Sequence, residues 1–507
     1  MLSTTRSTAM RLSSSSASSS KIARQFTISN RSLSSTRPAL AAAKANMDYL
    51  TPTHLDDDVP ASIVKTLERH SAVTLNTYSR PNFILSHGKG CKVFDTQNRE
   101  YLDFSGGIAV NALGHADEGV AKVVEEQARN LVHCSNLWHN EYSGELAYSL
   151  VDKTKKLGGM GYEKSLGEKN GSADEGGLKV FFTNSGTESN EGAIKFARKY
   201  GKQVQLMQAA ESAKEQGLTK PATTDKIEIV SFRDGFHGRS MGALSATWQE
   251  KYQAPFAPLI PGFVPATLND IEGIKHAVTE KTCGVIVEPI QGEGGILEAS
   301  EDFLRALRKR CDEVGALLIF DEIQCGLGRT GSFWAHGSFP KDCHPDVLTM
   351  AKPLANGLPI GAILMKDKVA DVIKIGDHGT TFGGAPLQTR VAHHVVDRIA
   401  EPSFLSSVST VGSALKSRLS ALPSLFPRLI AGPPRGRGLI LGLPLTSDHA
   451  VQRLVKLMRE RGVLVLSCGK MTVRFVPSLV VTEEEVEKCV DTLESCLIVM
   501  NREAEGL

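Results

Sequence analysis

Between residues 178 and 365 continuous apolar runs alternate with amphipathic stretches. The runs are LKVFFTN (178–184), KIEIVSF (226–232), CGVIVEPI (283–290), GALLIFDE (315–322), DVLTM (346–350) and GAILM (361–365). Between several of them apolar residues recur at spacings of three and four, as in ESNEGAIKFARKY (188–200) and EDFLRALRKRCDEVG (301–315), which is the helix period. Apolar strands alternating with helices predict an α/β fold with a mostly parallel sheet covered on both faces. Ligands bind such sheets beyond the carboxyl ends of the strands, so the residues just after each run are the candidates for chemistry.

The flanks follow other patterns. GCKVFDTQNREYLDFSGGIAVNALG (90–114) has β-rich pieces around a polar turn at 96–99, as a hairpin does. Past about residue 385 come helices and then GRGLILGLPL (436–445), RGVLVLSC (461–468) and MTVRFVPSL (471–479), which suit a second, smaller α+β domain. The expected division is 48–115 as the N-terminal part of that small domain, 116–384 as the large domain and 385–507 as the C-terminal part of the small one. Two polar segments, 155–177 and 202–226, read as insertions; the first is glycine-rich and loop-like, the second partly helical.

A chain of 507 residues with 41% hydrophobic and 22% charged residues can bury a large core. Its net charge of +2 leaves no polybasic footprint for nucleic acid. No apolar run reaches the length of a membrane-spanning helix. Nine scattered cysteines form no CxxC pair or metal-finger spacing and read as reduced thiols. Residues 1–47 carry Arg6, Arg11, Lys21, Arg24, Arg31, Arg37 and Lys44, many serines and no acid before Asp48. That composition predicts a mitochondrial transit peptide, cleaved near Leu33, and a matrix location; a plain disordered tail is the alternative.

At the strand ends, TNSGTESNEGA (183–193) places Ser185, Gly186 and Thr187 before a helix, where free N–H groups and the helix dipole suit a phosphate; a simple N-cap is the competing reading. RDGFHGRSMGAL (233–244) offers Phe236, able to cover a flat ring, and Arg239, able to grip a carboxylate. Core packing for Phe236 and a surface charge for Arg239 remain alternatives. Asp321 ends an apolar strand and needs a cationic partner, either a protonated pyridine nitrogen or a structural ion pair. Gln324 lies three residues on. Adjacent Asp321 and Glu322 point apart on an extended chain, which weakens a metal reading, and no metal is expected. Lys352 is the one charged residue of TMAKPLANGLPIGA (349–362); burial lowers a lysine pKa, as an imine-forming amine requires. A phosphate turn, a ring cover, a carboxylate for a pyridinium and such a lysine together describe a site for pyridoxal 5'-phosphate.

Seven stretches in order, YLDFSGGIAVNALGH, NSGTESNEGAIKFAR, FHGRSMGALS, EPIQGEGG, LLIFDEIQCGLGRTG, AKPLANGLPIGA and HGTTFGGAPL, resemble the class III pyridoxal-phosphate-dependent aminotransferases. The likeness spans about residues 75 to 500. It implies the fold type I sheet of seven strands, an aminotransferase activity and a homodimer with shared active sites. By the same resemblance Lys352 attaches the cofactor and moves the proton, Asp321 holds the pyridine nitrogen protonated and Gln324 bonds the ring hydroxyl. Ser185, Gly186 and Thr187 take the phosphate, Phe236 stacks on the ring, Thr381 reaches the phosphate of the neighbouring subunit and Thr380 touches substrate. Here PLANG stands where the family more often has glycines, and Pro353 biases Lys352 toward an extended backbone.

GGIAVNALGH tilts the expected amino donor toward N2-acetylornithine rather than ornithine, with 2-oxoglutarate as acceptor and glutamate as product, a step of arginine biosynthesis. The resemblance implies that Arg474 takes the glutamate carboxylate next to the reacting carbon and Arg239 the far one. Acetylornithine needs Arg239 alone, and Glu293 is expected to mask Arg474. Ornithine or 4-aminobutyrate transamination, or a non-catalytic member, are the alternatives.

Overall fold

The computed structural model describes residues 49–164, 177–216 and 224–505, with the backbone alone for 211–216. The expected transit peptide and its cleavage point lie outside the described residues, as do 165–176 and 217–223 of the two inserted segments.

Seven strands form the central sheet: β1 (Leu178–Thr183), β2 (Glu228–Phe232), β3 (Phe263–Ala266), β4 (Thr282–Val287), β5 (Leu317–Asp321), β6 (Val347–Met350) and β7 (Gly361–Lys366). Their order is β1-β7-β6-β5-β4-β2-β3. Only β7 runs against its neighbours, pairing antiparallel with β6 and β1, while the β6-β5, β5-β4, β4-β2 and β2-β3 pairs are parallel. Strands β4, β5 and β6 are buried at every residue, which is why they read as unbroken apolar runs. Edge strand β3 went unseen in the sequence because FVPA contains a proline and is only half-buried, the profile of an edge strand.

Helix α1 (Gly186–Gln216) is longer than the pattern at 188–200 suggests and runs well into the second inserted segment. Asp346, just before β6, is buried and accepts bonds from Arg308 Nη1 (2.7 Å), Lys368 Nζ (2.7 Å) and the Leu318 N–H (3.0 Å). It ties a covering helix and two strands together.

Besides a two-stranded hairpin, Ile290–Gln291 and Leu297–Glu298, two four-stranded sheets lie outside this frame. One holds Leu85–Lys89, Lys92–Asp95, Glu100–Asp103 and Val463–Leu464 in that order. Its first three strands are antiparallel, as the hairpin reading expected, and the last joins in parallel, Val463 opposite Leu102. The other holds Arg435–Arg437, Ile440–Pro444, Thr472–Phe475 and Leu466–Cys468, all antiparallel.

Candidate active site

The loops after β1, β2, β4, β5 and β6 meet through buried side chains. Asp321 ends β5, and its Oδ2 accepts from Asn190 Nδ2 (2.8 Å) and pairs with His237 Nδ1 (2.8 Å). Asn190 also donates to the His237 carbonyl (2.7 Å) and accepts from Thr349 Oγ1 of β6 (2.8 Å). One amide thus joins α1, the loop after β2 and the ends of β5 and β6. The partner that buried Asp321 required is His237. Burial opposes charge on that imidazole, but the hydrogen bond and negative charge of Asp321 outweigh it and its pKa is raised. Glu322 points the other way, accepting from the Ala335 N–H (2.6 Å) and His336 N–H (2.8 Å).

Glu288, one residue past β4, is buried and accepts from the Phe236 N–H (2.7 Å) and the Gly292 N–H (3.0 Å). Burial raises its pKa, with nearby Asp321 adding to the shift. The carboxylate fixes the loop of Phe236 to the loop of Glu293.

At the end of β1, Ser185, Gly186 and Thr187 open α1 ahead of its first backbone bond, Ser189 N–H to Ser185 carbonyl (3.0 Å). Their N–H groups are therefore the free donors of a helix start. Ser185 Oγ accepts from the Glu188 N–H at 3.3 Å, a long cap bond. Thr187 Oγ1 lies 2.7 Å from Ser240 Oγ, which brings the loop after β2 alongside. Gly238 must be glycine here: its φ is +138°, and a Cβ would stand 2.2 Å from Thr187 Oγ1.

Lys352 follows β6. It opens a short 3-10 turn, Lys352–Ala355, rather than the extended backbone that Pro353 suggests. Proline is tolerated at this point because the first residues of a helix do not need their N–H groups and its fixed φ suits a helix start. Asn356 ends the turn in the left-handed region, φ 47°. Its amide accepts from the Leu113 N–H (2.8 Å) and donates to the Gly114 carbonyl (3.0 Å), holding the lysine turn against the 106–115 segment. Lys352 keeps partial solvent access. Burial of its ammonium, aided by the positive charge of Arg474, lowers its pKa to about 8.

Arg474 is buried on the strand Thr472–Phe475. Its Nη2 pairs with Glu293 Oε1 (2.8 Å) and its Nη1 donates to Gln324 Oε1 (2.9 Å). Arg239 is exposed, its guanidinium carbon 3.8 Å from the Tyr252 ring centroid and 5.7 Å from that of Phe236. Phe236 and Tyr252 meet edge to face. Thr380 Oγ1 accepts from Asn184 Nδ2 (2.9 Å), next to the Ser185 turn, and Thr381 is exposed beside it.

The family model described as aminotransferase class-III matches residues 74–497. The chain belongs to this family. It is 49% identical over 90% of its length to the mitochondrial acetylornithine aminotransferase of Neurospora crassa, covering 92% of that protein. With its namesake from Debaryomyces hansenii it shares 43% identity over 90% of each chain. Among solved structures, the N-acetylornithine aminotransferase of Stenotrophomonas maltophilia matches with a TM-score of 0.65 at 33% identity, over 86% of this chain and 98% of that one. The ornithine aminotransferase of Toxoplasma gondii matches with a TM-score of 0.74 at 27% identity, over 88% and 97%.

Class-III aminotransferases depend on pyridoxal phosphate, and the donor set of this chain fits it. An amine of lowered pKa, a buried carboxylate at a strand end, free N–H groups at a helix start and an aromatic ring come from the ends of four strands, β6, β5, β1 and β2. When bound, the cofactor supplies an electron sink for the substrate carbon. Lys352, Asp321, Gln324, Phe236 and the Ser185–Thr187 turn are the residues that could hold it.

His237, Asn190 and Glu288 were not singled out from the sequence. The one available signal was their presence inside motifs that already carried other candidates.

Proposed function

We propose that the protein transfers the terminal amino group of N2-acetyl-L-ornithine to 2-oxoglutarate, giving N-acetyl-L-glutamate 5-semialdehyde and L-glutamate, in the mitochondrial matrix as a step of arginine biosynthesis. The observation that carries transfer from a terminal amine, common to acetylornithine and ornithine, is the state of the two arginines. Arg474 is buried and bound to Glu293 and Gln324, whereas Arg239 is exposed beside Phe236. A donor that reacts at its terminal amine presents one distal carboxylate and needs only Arg239. Glutamate presents two, and the second calls on Arg474 once Glu293 releases it. The names of the fungal relatives support the acetylated substrate and the mitochondrial location.

Lys352, whose lowered pKa makes a neutral fraction of the amine available near physiological pH, would bind the cofactor and then carry the proton at the substrate carbon. Asp321, fixed by Asn190 and His237, would keep the ring nitrogen protonated, Gln324 would bond the ring hydroxyl, and Phe236 would cover the ring. Ser185, Gly186 and Thr187 hold the phosphate, and Thr380 meets substrate. Residues 48–115 and 385–507 act as the small domain around the large domain at 116–384; the separate sheets support that division.

The working unit is a homodimer in which Thr381 reaches the neighbouring subunit's phosphate. Leu137 (84% exposed), Trp138 (72%) and Phe382 (60%) lie in one neighbourhood, because Asn136 Nδ2 donates to the Thr380 and Gly383 carbonyls. An apolar patch of that kind marks a contact surface.

Rates with N2-acetylornithine, ornithine and 4-aminobutyrate against 2-oxoglutarate test the proposal. A clear preference for unacetylated ornithine overturns the substrate and leaves the cofactor chemistry in place.

A further inference from the structure

Beside the catalytic loops a cleft of about 420 Å³ is lined by the residues after β2, the hairpin that carries Gln291 and Ile296, and parts of the C-terminal sheet. Four cations line it, Arg233, Lys416, Arg435 and Lys470, against two carboxylates, Asp234 and Glu298, a net charge of +2 (4 − 2). The carboxylates are engaged elsewhere in the set: Asp234 pairs with Lys470 (2.6 Å) and Glu298 with Arg437 (3.5 Å), outside the cleft lining.

Among the described residues the other three cations have no counter-charge. Arg233 is exposed, and its guanidinium makes no hydrogen bond or ion pair among the described residues. Lys416 Nζ donates to the Gly436 carbonyl (2.6 Å). Arg435 donates from Nη2 to Thr472 Oγ1 (2.6 Å), and its Nε is buried without a partner. A half-buried guanidinium lacking an anion is costly, and a ligand that supplies the anion offsets that cost.

We propose that this cleft is a second ligand site, separate from the cofactor and substrate groups, for a compact anion carrying at least two negative charges, a polycarboxylate or a phosphate. Two cations on different parts of the chain, Arg233 after β2 and Arg435 in the C-terminal sheet, suit a ligand with charge at both ends.

The cleft borders the switch residues. Arg435 stands opposite Gly442 and Gly442 opposite Arg474. Directly opposed residues share a face of the sheet, so the two arginines flank a residue that has no side chain. Ile296 fills that gap: a Cβ on Gly442 would lie 2.8 Å from its Cγ1. On the other wall, the Gly469 N–H donates to the Glu293 carbonyl (2.7 Å) next to Lys470. An occupant therefore touches the hairpin that carries Glu293 and, at Lys470, the residue next to the one bonded to Glu293.

The inference does not depend on which amino donor the enzyme uses. Isothermal titration of the holoenzyme with citrate, and separately with inorganic phosphate, tests it at an ionic strength of about 0.15 M, where weak surface attraction is screened. The expected result is one site per chain for at least one probe. Affinity should fall roughly tenfold or more in both Arg233→Gln and Lys416→Gln, the loss of one charge-assisted hydrogen bond, and should be unchanged in Arg239→Ala. Binding of citrate alone assigns a carboxylate ligand, and of phosphate alone a phosphate. Absence of binding by either probe overturns the proposal, as does binding that Arg239→Ala abolishes and the two cleft variants leave intact.

Discussion

Arg474 and Glu293 are joined at 2.8 Å, and the second terminal nitrogen of the arginine is held by Gln324 at 2.9 Å. This leaves a buried guanidinium whose two outer nitrogens are occupied from within the chain. Arg474→Ala is expected to slow the glutamate half-reaction by about 30-fold or more, the scale of a lost buried charge contact, with a much smaller effect on the acetylornithine half-reaction. Single-turnover absorbance of the bound cofactor, one amino donor at a time, measures both. Equal losses would remove Arg474 from the role of second carboxylate anchor.

Lys352 is the group whose titration matters most. Its folded pKa of about 8 lies below the ordinary value for lysine. In the cofactor-free protein the amine is charged below that pH and neutral above it. The rate of pyridoxal phosphate attachment should therefore rise with pH around a midpoint near 8. Linkage gives the sign for stability: between the folded and unfolded pKa values the unfolded chain binds more protons, so cofactor-free protein gains stability as pH rises through that window. A midpoint near the ordinary lysine value, followed by cofactor absorbance, would contradict the burial of this amine.

Gly238→Ala puts a methyl group where Thr187 Oγ1 stands, at a backbone φ of +138°. The phosphate turn has to move, since the obstacle is a short side chain at the start of a helix. Cofactor affinity is expected to fall at least about tenfold, in keeping with the loss of a charged hydrogen bond. Equilibrium dialysis of pyridoxal phosphate reads this, and a thermal melt of the cofactor-free variant separates it from global unfolding.

Asp346 governs stability away from the chemistry. Burial alone would raise its pKa, but Arg308, Lys368 and Lys366 lower it to about 2. The carboxylate's contribution is present above its unfolded pKa and is lost as pH falls through the folded value. Asp346→Asn leaves Arg308 and two lysines short of an anion and is expected to cost about 3 kcal/mol or more. Denaturant unfolding at neutral pH measures it; the difference from the unsubstituted chain should shrink in strong acid.

All of the central sheet except edge strand β3 was legible, because its strands form apolar runs, buried at every residue in β4, β5 and β6, and because candidate catalytic groups stand directly after those runs. Lys352 and Asp321 could be placed that way. The supporting groups could not. His237 lies 84 positions from Asp321, and Asn190 lies 131 positions from it; hydrogen bonds between distant loops leave no periodic trace. Glu288 acts through two backbone N–H groups in different loops, Phe236 and Gly292, a role that its position after an apolar run does not reveal. The local backbone at Lys352 was misjudged for a different reason: the bias before proline is real, but a helix start can absorb it.

Leu102 stands beside Val463 in a parallel pair, 361 positions apart in the chain (463 − 102). The hairpin near the amino end therefore keeps an open edge while most of the chain is being made, and closes only when a short strand near the carboxyl end arrives. Long-range parallel pairing is slow and exposed to misassembly. Completion of the sheet around the amino-terminal hairpin is thus a late event, and shortened chains that end before Val463 should be substrates for chaperones rather than enzymes of reduced rate.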